Sequence, residues 1–89
     1  MIKLVSVEFV AEYRLRLVFS DHSSGVLDFA PFVQAGTTMT EPLRDKDNFR
    51  RFHIELGALC WPNGFEVSAG SLQKRLEAAG LLKRSSAAA

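Results

Sequence analysis

The stretch Tyr13-Arg14-Leu15-Arg16-Leu17-Val18-Phe19 alternates with period two: Tyr13, Leu15, Leu17 and Phe19 share one face while Arg14 and Arg16 turn the other way. Successive side chains of an extended chain point to opposite faces, so the pattern predicts a half-buried strand. Working upstream, Val5, Val7 and Phe9 alternate with Ser6 and Glu8 and predict an antiparallel neighbour joined near Ala11-Glu12. Downstream, Ser20-Asp21-His22-Ser23-Ser24-Gly25 gathers short polar side chains that compete for backbone hydrogen bonds, the mark of a turn. Residues 26–30 follow as a third strand with Leu27 and Phe29 inward, which makes a three-stranded antiparallel meander.

Past the meander, Pro31 cannot donate to a ladder and favours a first helical turn, so residues 31–35 predict one short turn stopped by Gly36. Residues 37–42 read as a loop or irregular edge, and Leu43, Phe49 and Phe52 anchor another short turn that Asp45 or Asp47 caps. Around Leu56-Gly57 a two-residue hairpin pairs Phe52 with Trp61, His53 with Cys60 and Ile54 with Leu59, Gly57 supplying a positive φ. Phe52–Trp61 and Ile54–Leu59 take the buried face, and His53, Glu55 and Cys60 the other. Pro62-Asn63-Gly64 is a turn, and Phe65-Glu66-Val67 leads into a helix over residues 69–79, with Ser68 or Ser71 as N-cap. That helix buries Leu72, Leu76 and Ala79 and ends at Gly80, with Leu81 positioned to meet Leu76.

These elements define an α+β class: a three-stranded antiparallel meander, a short helical turn, a β-hairpin and one C-terminal helix. Residues 1–82 form a single domain and residues 83–89 a disordered tail. A sheet of five strands with one substantial helix leaves one face uncovered, and strand edges at residues 37–40 or 26–30 invite addition by another chain.

The 89 residues carry 11 Lys+Arg against 10 Asp+Glu, a formal charge of +1, and are 47% hydrophobic. A chain of this size buries roughly 60–65% of its surface on folding, enough for one core but not for a deep cofactor cavity, and no cofactor is expected. Near neutrality argues against nucleic-acid binding by bulk charge. The single cysteine, Cys60, excludes an intramolecular disulfide and a zinc cluster of paired cysteines. With no basic-then-apolar leader and no run of ~18 apolar residues, the expectation is a cytoplasmic protein without membrane association.

Few residues point to chemistry. His53 and Cys60, opposed across the hairpin, are the one nucleophile–base pairing that the pattern yields, with Glu55 available to orient the imidazole. The plainer reading makes Cys60 a small half-buried hydrophobe and His53 a solvated strand residue. The spacing within residues 21–24 fits no metal signature, and the six glycines are too scattered to cradle a phosphate. No catalytic or metal residues are assigned. Arg44, Lys46, Arg50 and Arg51, interleaved with Phe49 and Phe52, form the densest basic stretch, which Arg14 and Arg16 extend as a weak nucleic-acid patch. Asp45 and Asp47 cancel half its charge, so a solvated face with two core anchors is the simpler account.

Residues 18–29, Leu43-Arg44-Asp45 followed by Phe49, and above all Cys60-Trp61-Pro62-Asn63-Gly64-Phe65-Glu66-Val67-Ser68 together resemble the small bacterial domain of unknown function numbered 2442. Glu66 stands where an aspartate is common, and Ala69-Gly70-Ser71 replaces the usual Pro-Glu before Leu72. The resemblance implies an α+β domain with no established enzymatic activity. Members are sometimes fused to a helix-turn-helix segment or encoded beside a second small protein, an arrangement like toxin–antitoxin pairing. The shared positions look architectural, with the alternative that Asp28, Trp61 and Asn63 form a surface recognition site. The expectation is a non-catalytic interaction module, an antitoxin-like partner of a genetically linked small protein or a homo-oligomer such as a dimer. The alternatives are a nucleic-acid-binding or transcription-regulatory accessory domain and a Cys/His enzyme.

Overall fold

The computed structural model describes residues 1–84. The chain runs β1 (Leu4–Ala11), β2 (Arg14–Phe19), β3 (Ser24–Asp28), α1 (Ala30–Gln34), a 3-10 turn (Glu41–Arg44), α2 (Lys46–Phe49), β4 (His53–Glu55), β5 (Ala58–Cys60), β6 (Glu66–Val67) and α3 (Ala69–Ala78). The α+β class and the antiparallel meander β1-β2-β3 are as the alternation predicts. In place of a five-stranded sheet, however, there are two separate three-stranded sheets, the second ordered β4-β5-β6. The hairpin gains β6 because the Pro62-Asn63-Gly64 turn returns the chain along β5, setting Leu59 opposite Val67 and Cys60 opposite Glu66. One backbone bond from Leu4 N to the Gly57 carbonyl, 2.8 Å, ties the edge of the first sheet to the hairpin turn of the second.

The β1–β2 ladder is irregular at two points, between Leu4 and Ser6 and between Phe9 and Ala11, and the first changes which residue is buried. Leu4 pairs with Phe19 and Ser6 with Val18, which leaves Val5 unpaired in a bulge. Leu4 therefore takes the buried position expected of Val5, and Val5 is 56% exposed. The third strand begins and ends two residues earlier than predicted, because the Asp28 carboxylate accepts from Ala30 N (2.9 Å) and turns the chain into α1. Its outer edge is not fully open: Ser24 and Lys83 exchange backbone hydrogen bonds of 2.8 and 2.7 Å. Residues 37–40 form no strand; hydrogen bonds between Thr37 and Thr40 close them into a turn. Asp45, not Asp47, caps α2, accepting from Asp47 N and Asn48 N. The hairpin has the predicted register, His53 with Cys60 and Ile54 with Leu59, but only half of the second pair is buried. Leu59 lies on the middle strand under the core, whereas Ile54, on the outer strand, is 36% exposed.

The core gathers Leu4, Leu15, Leu17, Phe19 and Leu27 from the meander, Leu59 and Val67 from the second sheet, and Leu72 and Leu76 from α3. Trp61 stands among Phe29, Phe49 and Phe65, its ring centroid 5.5–5.9 Å from theirs. Ser68 caps α3 by accepting from Ser71 N, and Gly80 ends it at φ 72°. Gly80 N donates to Glu77 O and Leu81 N to Leu76 O, the two bonds of a Schellman ending. Ala79, predicted buried, is exposed because it lies at the cap itself, past the last inward-facing turn. Of the tail expected over 83–89, Lys83 and Arg84 are tied down, and residues 85–89 lie outside the described residues.

The β2–β3 turn is a structural hub. Asp21 accepts from Ser23 N and Ser23 Oγ, and its other oxygen accepts from Gln73 Nε2 of α3 (3.0 Å) and Arg84 Nη1 (3.3 Å). The Ser23 hydrogen bonds, then those of Gln73 and the charge of Arg84, draw the Asp21 carboxyl from its ordinary 3.8 down to about 2. A depressed carboxyl stabilises the fold fully above its unfolded value, and that contribution is lost as the pH falls through the folded value. Acid denaturation curves of the native chain and Asp21→Asn should therefore differ most above pH 3.8 and converge towards about pH 2. A constant difference across that window would contradict this linkage.

Candidate functional site

The face of the second sheet turned away from the core carries the one cluster of reactive side chains among the described residues. His53, Cys60 and Glu66 form a row across β4, β5 and β6, since His53 pairs with Cys60 and Cys60 with Glu66. Glu55, two residues along β4, projects from the same face. Ligand atoms of His53, Glu55 and Cys60 all lie within 4.8 Å of one another, and the Cys60 thiol lies 3.8 Å from Glu66 Oε2. Cys60 is 4% exposed yet stands outside the apolar core cluster. Burial first, and then the charges of Glu66 and Glu55, push its thiol above the ordinary value. The pairing of His53 with Cys60 thus forms as predicted, but these surroundings favour the thiol over the thiolate that a nucleophilic cysteine needs. Glu66 is the member that the sequence pattern did not supply, because its placement depends on a strand of only two residues.

At the tip of the same hairpin, Leu56 and Gly57 both have positive φ, 51° and 79°, as a type I′ turn requires. Asn, Asp or Gly normally fills the first of these positions, since a left-handed conformation costs other residues ~1–2 kcal/mol. Leu56 is nevertheless 95% exposed. Beside it a shallow groove of about 270 Å³ runs between the N-terminal segment and the start of α3, lined in part by Met1, Ile2, Ala58, Ala69 and Gly70. The sequence reading gives a positive φ to Gly57 alone, and Leu56 reads there only as part of the turn.

The remaining candidates scatter. Trp61 is 2% exposed, and its indole N–H donates to the Phe49 carbonyl at 2.7 Å. Asn63 accepts from Phe65 N and donates to the Met39 carbonyl, so the Trp-Pro-Asn-Gly turn staples the 37–42 loop to the second sheet. Trp61 and Asn63 share the lining of a cavity of about 150 Å³ with Leu43 and Arg51, whereas Asp28 lies in a different groove, beside Phe32 and Arg75. The basic residues are likewise divided. Arg14 and Arg16 lie on the outer face of β2, opposite in parity to the buried Leu15, and Arg16 pairs with Glu8 at 3.7 Å. Arg50 lies 4.2 Å over the ring of Phe9, on the inner side. Lys46 pairs with Glu12 at 2.6 Å, and Arg44 Nε donates to the Val33 carbonyl. Arg51 lines the cavity beside Trp61.

The fold and its surfaces define a small α+β domain built on two antiparallel sheets, with its architectural motif at the Trp-Pro-Asn-Gly turn. The model of a family of proteins of unknown function, DUF2442, matches residues 4–77, and the chain belongs to that family. Neither the curated proteins nor the solved structures hold a match to it. No helix among the described residues is long and apolar enough to cross a membrane.

Proposed function

We propose that this domain is a non-catalytic protein-interaction module that docks a small partner protein encoded beside it, in the manner of an antitoxin, against the tip of the β4–β5 hairpin. The observation that carries the reading is Leu56. A fully solvent-exposed leucine in a left-handed turn position carries a local conformational cost, and a partner that buries its side chain offsets that cost. The groove beside it, with Met1, Ile2 and Ala58, supplies apolar surface for an anchoring side chain of the partner.

Leu56→Asn separates the two roles. Asparagine suits the turn, so thermal unfolding should show a gain of ~0.5–1 kcal/mol. Affinity for the neighbouring-gene protein, measured by titration calorimetry, should fall at least ~30-fold, as expected for loss of a central anchor. A stabilised variant that binds as tightly as the native chain would overturn the proposal, as would a native chain that does not bind that protein at all.

A further inference from the structure

We propose that His53, Glu55 and Cys60, with Glu66 beside the sulfur, bind a divalent transition metal of the zinc class on the outer face of the second sheet. The donor set decides the class: a thiol, an imidazole and carboxylates suit zinc and its neighbours, whereas magnesium and calcium take oxygen ligands alone. The register supplies the placement, since the row His53–Cys60–Glu66 crosses three hydrogen-bonded strands and Glu55 lies on the same face. Three donor atoms already lie within 4.8 Å of one another. Ligands of a tetrahedral zinc stand ~3.3–3.8 Å apart, from metal–ligand distances of ~2.0–2.3 Å, so a rotation of exposed side chains closes the site. His53 and Glu55 are free to rotate: neither makes a side-chain hydrogen bond or ion pair among the described residues. Glu66, 3.8 Å from the sulfur, or a water completes the fourth position.

Cys60 is buried but is not a member of the apolar core cluster, and its sulfur lies 3.8 Å from both the Ala58 carbonyl and Glu66 Oε2. On binding, the thiol releases its proton to solvent and the sulfur donates the resulting electron pair to the metal, with no change of oxidation state. Two flanking carboxylates and the thiolate then face a dication in place of one another. The bound ion ties β4, β5 and β6 together and so braces the hairpin.

Titration of the full chain with Co²⁺, which reports tetrahedral thiolate ligation by its absorption, tests the site. The expected result is saturation at one equivalent with a thiolate-to-cobalt charge-transfer band, displacement by Zn²⁺, and release of a proton. Cys60→Ser should abolish the band, and His53→Ala, at an exposed position, should weaken binding at least ~10-fold without altering the far-UV circular dichroism. His22→Ala, at the histidine of the distant β2–β3 turn, should change neither. No charge-transfer band in the native chain, or binding that His53→Ala leaves unchanged, would overturn the assignment.

Discussion

Trp61→Ala is expected to lower the stability of the domain by ~3–5 kcal/mol, the cost of emptying a large aromatic site in a core that relaxes only in part. In a chain of this length such a loss corresponds to a fall in Tm of at least ~12 °C. Total stability is typically only ~5–15 kcal/mol, so the variant stands near the threshold of folding. The ring meets Phe29 at the N-cap of α1, Phe49 of α2 and Phe65 in the turn before β6. A second variant isolates the polar part. Trp61→Phe keeps an aromatic ring but leaves the buried Phe49 carbonyl without its 2.7 Å donor, and should cost ~1–3 kcal/mol for that reason in addition to the lost area. Thermal and denaturant unfolding check both. A Trp61→Ala protein that melts like the native one would show that the aromatic cluster does not hold the two sheets together.

Gly25→Ala is expected to cost ~1–3 kcal/mol, a large effect for one methyl group. A Cβ at this buried β3 position would stand 2.7 Å from the Leu81 carbonyl oxygen and 3.0 Å from Leu76 Cδ2. The first of these is backbone, in the Schellman ending of α3, and cannot rotate away. The helix end must move off the strand, and the Ser24–Lys83 bridge one residue away moves with it. Gly70 provides the opposite sign. Its nearest neighbour is Ile2 Cγ2 at 3.8 Å, an ordinary contact, so Gly70→Ala inside α3 should stabilise by up to ~1 kcal/mol through the unfolded state. Equal effects of the two substitutions would refute the close packing of α3 on β3.

The fold was legible where a local pattern and a burial direction coincided. The alternation in β2, the hairpin register about Leu56-Gly57 and the Ser68 and Gly80 caps of α3 all depend on residues within a few positions of one another. What escaped was long-range. The bulge at Val5 arises because Leu4, not Val5, meets Phe19 on the neighbouring strand, and β6 exists only because Val67 finds Leu59 across the turn. The candidate sites divide in the same way. The opposition of His53 and Cys60 follows from hairpin register alone, while the approach of Glu66 needs β6. The basic stretch looks continuous in sequence, yet Lys46 turns to Glu12 and Arg50 to Phe9, because neighbouring positions on short turns point in different directions.

The central claim is that this domain is a binding module whose contact surface is the hairpin tip and the groove beside it. The most direct test is amide chemical-shift mapping of the labelled chain on addition of the protein encoded beside it. The account predicts saturable shifts confined to residues 1–3, 55–58 and 68–70, with the core of the meander unchanged. Shifts centred on another face, or none at partner concentrations that saturate a specific complex, would contradict it.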